Sequence, residues 1–569
     1  MPKSLKIIFI GIVFLSLPFF VSAVSLGEQS NFFVDPTYDL FKREEISAIL
    51  QRIGSRAYFY IDNSWWDLLD YQKKEEVNRA LSSLDDEFYY KIYPTLTSAF
   101  GSEWKPGIDK DEKITILIHP MIEEAGGYFQ SGNEYPQLQV PRSNEREMFY
   151  LNANYIASPL AKSFFAHEFM HLISFNQKEK IRGVSEEIWL DEARAEYVST
   201  LLGYDNEYRG SNLQRRVNIF LEEPSDSITE WKNQKADYGV LNIFTQYLVD
   251  HYGIKILTDS LKSKEIGIKS LNEALVKNGF KEDFSQIFTD WTVAILLNDC
   301  NLGPRYCYLN PNLKNLRVIP SLNFLPTFGR GLLSFSYLIK NWSGNWFKII
   351  GGKGVLKFEF DGTDEISFKV PYILCEKEGK CSVNFLNLDK NQEGVTFISG
   401  FNEKFTSLTL IPSIQIKISG FDGSEPAYLF SWTASIIERT PEEEAELVKK
   451  LLEQIEELKK QIAQVQAKIN AILASRGQKI NCSKFERDLY FGMMSSPDVQ
   501  CLQEFLKSQG SEIYSEGLVT GNFLSLTQAA VIRFQEKYAN EILNPLGLEK
   551  GTGFVGEMTR NKINSLLGQ

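Results

Sequence analysis

Two histidines four residues apart, with a glutamate beside the first, are the residues best suited to chemistry: His167-Glu168-Phe169-Met170-His171. On a helix this spacing puts both imidazoles on one face, about one turn apart. Two neutral ring nitrogens can then ligate one metal ion. Glu168 can reach a water on that ion without being a ligand itself, which is the HExxH arrangement. The chain has only four histidines, so a chance pair bracketing a glutamate in this register is rare. A tetrahedral catalytic zinc takes three protein ligands and leaves one position for water. The other imidazoles, His119 and His251, are far from the motif in sequence and read as structural or surface residues. The third ligand is therefore sought among carboxylates. Glu192, in Trp189-Leu190-Asp191-Glu192-Ala193-Arg194-Ala195-Glu196-Tyr197, lies twenty-one residues after His171, where a second helix can return to the site. Glu196 sits one turn later on the same face and is the rival ligand. Either glutamate could instead orient a histidine from behind.

His167 to His171, followed by Leu190-Asp191-Glu192 and then Ala195-Glu196-Tyr197, resembles the gluzincin metallopeptidases, the broad group of thermolysin and the zinc aminopeptidases. That resemblance implies an α+β thermolysin-like catalytic domain, with Zn2+ held by His167, His171 and Glu192. It implies hydrolysis of peptide bonds with Glu168 as general base. Asp191 stands where the group usually has Asn, and Ala193 where Gly is frequent. Tyr238 is the expected oxyanion donor, by loose similarity to the tyrosine of zinc aminopeptidases; its other reading is a packing tyrosine near a helix start. The layout over roughly residues 40–300 is most similar to the hyicolysin-like secreted gluzincins.

The elements that must position these groups can also be read. Ile114 to Ile118 and Met148 to Leu151 have the apolar texture of strands. Ser158-Pro159 predicts the start of the histidine helix, with the serine as cap and proline at the first helical position. A further helix opens at Ala236-Asp237-Tyr238-Gly239 and runs to Tyr252. Asp109 and Asp111 offer oxygen ligands for calcium, but Asp-Lys-Asp-Glu before a strand is more simply a turn.

At 569 residues the chain is too long for one core, so a multidomain protein is expected. The net charge of −12 disfavours a nucleic-acid partner. Residues 1–23 read as a signal peptide: Lys3 and Lys6, an apolar run from Ile7 to Phe20, then Val21-Ser22-Ala23 as an exit for the peptidase. An exported protein is the expectation, extracellular, at the cell surface or periplasmic. Six cysteines fall into three local pairs, consistent with disulfide bonds in an oxidising compartment.

The zinc metallopeptidase domain is placed at 24–305. Residues 310–438 change to short β-forming runs punctuated by Gly, Asp and Asn, which predicts a β-sandwich-like domain. Over 440–476, apolar residues recur at alternating spacings of three and four, from Val448 through Leu451, Ile455, Leu458, Ile462, Val465 and Ile469 to Ile472. That pattern predicts a coiled coil and, through it, a homodimer. The other reading is a single amphipathic helix lying on its neighbours. Residues 480–569, with Val499-Gln500-Cys501-Leu502-Gln503 and Thr527-Gln528-Ala529-Ala530-Val531-Ile532-Arg533-Phe534-Gln535, resemble the small all-α peptidoglycan-binding-like three-helix domain. Leu524 replaces the glycine usual after the aromatic residue. The resemblance implies wall glycan as a partner, beside the protein or peptide substrate. Three functions stay in view: an exported zinc peptidase, a peptidoglycan cross-link hydrolase, and a non-enzymatic surface scaffold with a vestigial metal site.

Overall fold

A computed structural model describes residues 24–326, 331–416, 424–437, 449, 452–462, 464–465, 482 and 484–568. The leader expected at residues 1–23 and most of the coiled coil expected at 440–476 lie outside the described residues. The described chain is a multidomain protein of helices and mixed sheets, divided into two compact units at about residue 438.

The first unit opens with a six-stranded sheet in the order β1-β2-β3-β4-β6-β5. Its strands are β1 (Gln29–Phe33), β2 (Glu45–Ile53), β3 (Ala57–Asp62), β4 (Ile114–His119), β5 (Gly127–Phe129) and β6 (Met148–Asn152). β3, β4 and β6 are parallel, and β5 runs antiparallel to β6 at the sheet's edge. β4 and β6 are buried along their whole length, because both sheet faces are covered; that is why they read as continuous apolar runs. Ile116, Ile118, Phe149 and Leu151 join a helical core. Leu117, Met148 and Tyr150 join a smaller core with Phe32 and Ile46.

Among its described residues this unit also has ten α-helices: α1 (Asn63–Leu68), α2 (Tyr71–Glu87), α3 (Tyr93–Phe100), α4 (Ala161–Phe175), α5 (Ile188–Leu201), α6 (Asn212–Glu222), α7 (Lys235–Tyr252), α8 (Lys255–Leu261), α9 (Gly267–Lys277) and α10 (Phe284–Leu297). α4 is buried nearly all round, which suits a helix with apolar residues on every side. Phe165 and Phe169 pack their rings on Phe88, each at a centroid distance of 4.9 Å. Such side chains contribute about 2–3 kcal/mol each on burial, and they fix the height of the helix on the sheet. Its start differs from the sequence expectation. α4 begins at Ala161, and the Ser158 hydroxyl is buried without a hydrogen-bond partner rather than capping the helix. Asn152 ends β6 and braces the approach instead, its amide donating to the carbonyls of Ile122 and Ala125. α7 starts with a true reciprocal cap between Gln234 and Asp237.

From Ser321 the same unit is β-rich. One run of strands is Glu393–Phe401, Gly354–Gly362, Ala427–Ile437 and Leu332–Lys340. The other is Ser321–Leu325, Phe347–Gly351, Phe405–Leu410, Pro371–Glu376 and Cys381–Phe385. A single residue pair, Phe401 with Phe405, joins the two runs. Both contribute to one core that includes Phe358, Trp432, Ile349 and Leu408.

In the second unit, residues 452–462 are helical and expose Ile455, Leu458 and Ile462. Beyond them, helices Pro497–Ser508, Ser525–Lys537 and Glu557–Leu566 enclose a core of Val499, Leu502, Val531, Phe534 and Ile563. A repeated lock joins successive helices. The Gln503 amide, buried in the first, donates to Thr520 Oγ1, the Asn522 carbonyl and Thr527 Oγ1, which lie 17, 19 and 24 residues onward. Gln535, in the second, donates to Thr552 Oγ1, the Phe554 carbonyl and Thr559 Oγ1 at the same three offsets.

All six cysteines are paired: Cys300 with Cys307, Cys375 with Cys381, and Cys482 with Cys501. No described helix is long and apolar enough to cross a membrane.

Candidate metal centre

α4 presents His167 and His171 one turn apart, and α5, packed against it, returns Glu192. The two Nε2 atoms face each other at 3.2 Å. Glu192 Oε2 lies 3.2 Å from His167 Nε2, and its Oε1 lies 3.7 Å from His171 Nε2. These three side chains bring one ligand atom each within 4.8 Å of one another and could hold a metal ion. Glu192 Oε2 is buried and accepts no hydrogen bond. Two imidazole nitrogens and a carboxylate oxygen pointed at one spot fit a cation between them.

The outer ring nitrogens are braced by carboxylates. Asp191 Oδ2 lies 2.8 Å from His171 Nδ1. Glu196 Oε1 lies 3.5 Å from His167 Nδ1. Each imidazole is thereby held with Nε2 turned inward. Glu196, the rival for third ligand, is committed elsewhere: its carboxylate is 1% exposed, ion-paired with Arg216, and accepts from Asn242 Nδ2 at 3.1 Å. Burial pushes its pKa up, but Arg216 outweighs this and holds it at about 2. Burial pushes His171 down, while Glu192 and Asp191 lift it to about 10 in the metal-free chain.

Glu168 projects from α4 against β5. A Cβ added at Gly127 would come within 3.0 Å of Glu168 Oε1 and 2.5 Å of the Tyr150 carbonyl oxygen, so the bare glycine is what admits the glutamate. Burial raises its pKa to about 7, with His167 and His171 opposing. That is a useful value for a proton acceptor near neutral pH. Phe129 of β5 stacks on His171, with rings 6.2 Å apart and 13° from parallel.

These groups line a cleft of about 1120 Å³. Tyr238, the expected oxyanion donor, lines it too, but its hydroxyl donates to Asn233 Oδ1 at 3.1 Å. Tyr38 is a second cleft hydroxyl, accepting from Asn233 Nδ2 at 2.9 Å. Burial raises both tyrosine pKa values, and the Glu168 and Glu192 charges add to that. Sequence reasoning missed Tyr38, since nothing in its neighbourhood resembles a motif. It also left the bracing role of Asp191 unread, although Asp191 adjoins the proposed ligand. His119 is buried beside Asp39 at 3.1 Å and His251 binds the Cys307 carbonyl at 2.9 Å, so both are structural. Asp109 and Asp111 make local turn bonds to the amides of Asp111 and Lys113.

No family model matches the chain, and no curated protein matches it. Among solved structures the likenesses are distant, and two illustrate them. One is PliG from Aeromonas hydrophila, a periplasmic inhibitor of g-type lysozyme, at 9% identity and TM-score 0.15, covering 21% of this chain and 100% of that one. The other is a family GH115 4-O-methyl-α-glucuronidase specific for decorated arabinogalactans, at 8% identity and TM-score 0.13, covering 58% of this chain and 53% of that one. Overlap this slight carries nothing about fold or function.

Proposed function

We propose that this protein is an exported zinc-dependent peptidase of gluzincin type, with its thermolysin-like site on α4 and α5. The observation that carries the reading is the convergence of His167 Nε2, His171 Nε2 and Glu192, each imidazole braced from behind by a carboxylate. Two imidazoles and one carboxylate form a donor set suited to zinc. Zinc bound there would supply Lewis acidity toward the scissile carbonyl and toward water.

The remaining work falls to the chain. Glu168, buried on the same helix as the two histidines, accepts the proton of the attacking water and returns it to the leaving amine. Tyr238 and Tyr38, linked through Asn233, are the hydroxyls available to the substrate's carbonyl oxygen. Among the described residues β5 pairs only with β6, so its other edge can pair with an extended peptide laid along the cleft. Export is supported by three disulfides, and wall targeting by the likeness of residues 480–569 to peptidoglycan-binding-like domains.

The test is zinc content together with turnover of unfolded protein and of purified peptidoglycan, for the parent and for Glu168→Gln. The reading expects about one zinc per chain and protein cleavage that falls about 100- to 10,000-fold in the variant. Cleavage of wall material alone would reassign the site to cross-link hydrolysis. Bound zinc without turnover of either substrate would make the protein a scaffold.

A further inference from the structure

We propose a second cation site, for calcium, between the carboxylates of Glu134 and Glu147, with Asp109 at its rim. Glu134 closes the turn Ser131–Glu134 that follows β5, and Glu147 immediately precedes β6. Both are buried, at 1% and 3% exposure. Their carboxylates face each other within hydrogen-bonding reach, and that of Asp109 adjoins Glu147. The Ile108 amide donates to Glu147 Oε1 at 2.6 Å. Glu134 Oε1, Glu134 Oε2 and Glu147 Oε2 are buried with no hydrogen-bond partner. The neighbouring ammonium of Lys180 does not fill this gap. It donates to the Glu134 backbone carbonyl at 3.3 Å and sits 3.8 Å over the Trp104 ring.

Facing carboxylates in a dry site need a proton or a cation. One shared proton joins an oxygen of each carboxylate and still leaves one of the three bare oxygens unsatisfied. A divalent ion engages both carboxylates at once, and water and backbone carbonyls complete its shell. An all-oxygen donor set favours calcium over the softer metals suited to the histidine site. The ion would tie the turn before β4 to the loop joining β5 and β6, and so hold the edge strand that borders the cleft. The inference stands whether or not the protein is a peptidase.

The test uses the full chain, stripped on a chelating resin and reloaded with zinc. Calcium chloride is titrated while thermal unfolding is followed, and terbium emission sensitised by Trp104 gives a second readout. Calcium is expected to raise the Tm by several degrees and to displace terbium. Glu134→Gln and Glu147→Gln should each weaken calcium binding by about tenfold or more, the loss that outer-shell partners alone produce at metal sites. A parent protein whose Tm ignores millimolar calcium overturns the proposal, as does a response undiminished in both variants. Stabilisation by mild acid without any response to calcium would assign the pair to a shared proton. If either variant fails to fold, the parent titration still decides.

Discussion

Asp191 offers the sharpest test of how the histidine site is built. Its Oδ2 sits 2.8 Å from His171 Nδ1, and the Ser174 hydroxyl also lies beside the carboxylate. Removing such a partner lowers metal affinity about 10- to 100-fold, equivalent to about 1.4–2.7 kcal/mol. Asp191→Ala should show that loss in zinc competition against a chromophoric chelator. Asp191→Asn keeps an oxygen that can accept from Nδ1–H and should fall between Ala and the parent. The apo chain also loses a carboxylate beside His171, so its unfolding should be measured separately; about 1–2 kcal/mol is expected for one partly buried pair. Zinc affinity in Asp191→Ala equal to the parent's would refute the view that the ring is held by this contact. It would leave Phe129 stacking as the feature that orients His171.

Gly127→Ala forces a Cβ to 2.5 Å from the Tyr150 carbonyl and 2.9 Å from Glu168 Cγ. Overpacking of this kind costs about 1–3 kcal/mol, and turnover should fall more than zinc affinity because Glu168, not a ligand, is displaced. Asp226 is raised to about 7, first by burial and then by Asp237. The folded chain therefore binds a proton that the unfolded chain releases near pH 4, so this stabilisation is complete below about pH 4 and lost as pH rises through about 7. Asp226→Asn should flatten that part of the stability–pH curve and raise stability at pH 8, read by urea unfolding. Ile455 and Leu458 are exposed on the helix of residues 452–462. If they belong to a paired seam, sedimentation should give a dimer that Ile455→Lys with Leu458→Lys converts to monomer.

Legibility followed the range of the interactions involved. The histidine helix, β4, β6 and α7 were readable because their signals are local: apolar runs, 3.6-residue spacing and the helix opening at Ala236-Asp237-Tyr238-Gly239. Glu192 was found through spacing and resemblance, and the fold brings it to the histidines. The start of α4 was misread because Ser158-Pro159 is a valid local signal that tertiary packing overrides. Tyr38 and the Glu134–Glu147 pair were invisible because residues far apart in sequence meet only through the sheet. Asp109 drew notice as part of a turn, but the acids it adjoins lie on loops without any motif. The exact repeat of the glutamine locks also escaped notice, since each glutamine meets its partners only 17 to 24 residues onward.

Those locks give the C-terminal helices a rule of succession. Each helix carries the glutamine that seats the start of the next, like treads of a staircase cut to one pattern. Among the described residues, no earlier helix supplies a glutamine to the first tread. There the covalent link from Cys482 to Cys501, inside that first helix, fastens the incoming chain instead. Reducing conditions should therefore loosen the foot of the staircase and leave its upper steps standing.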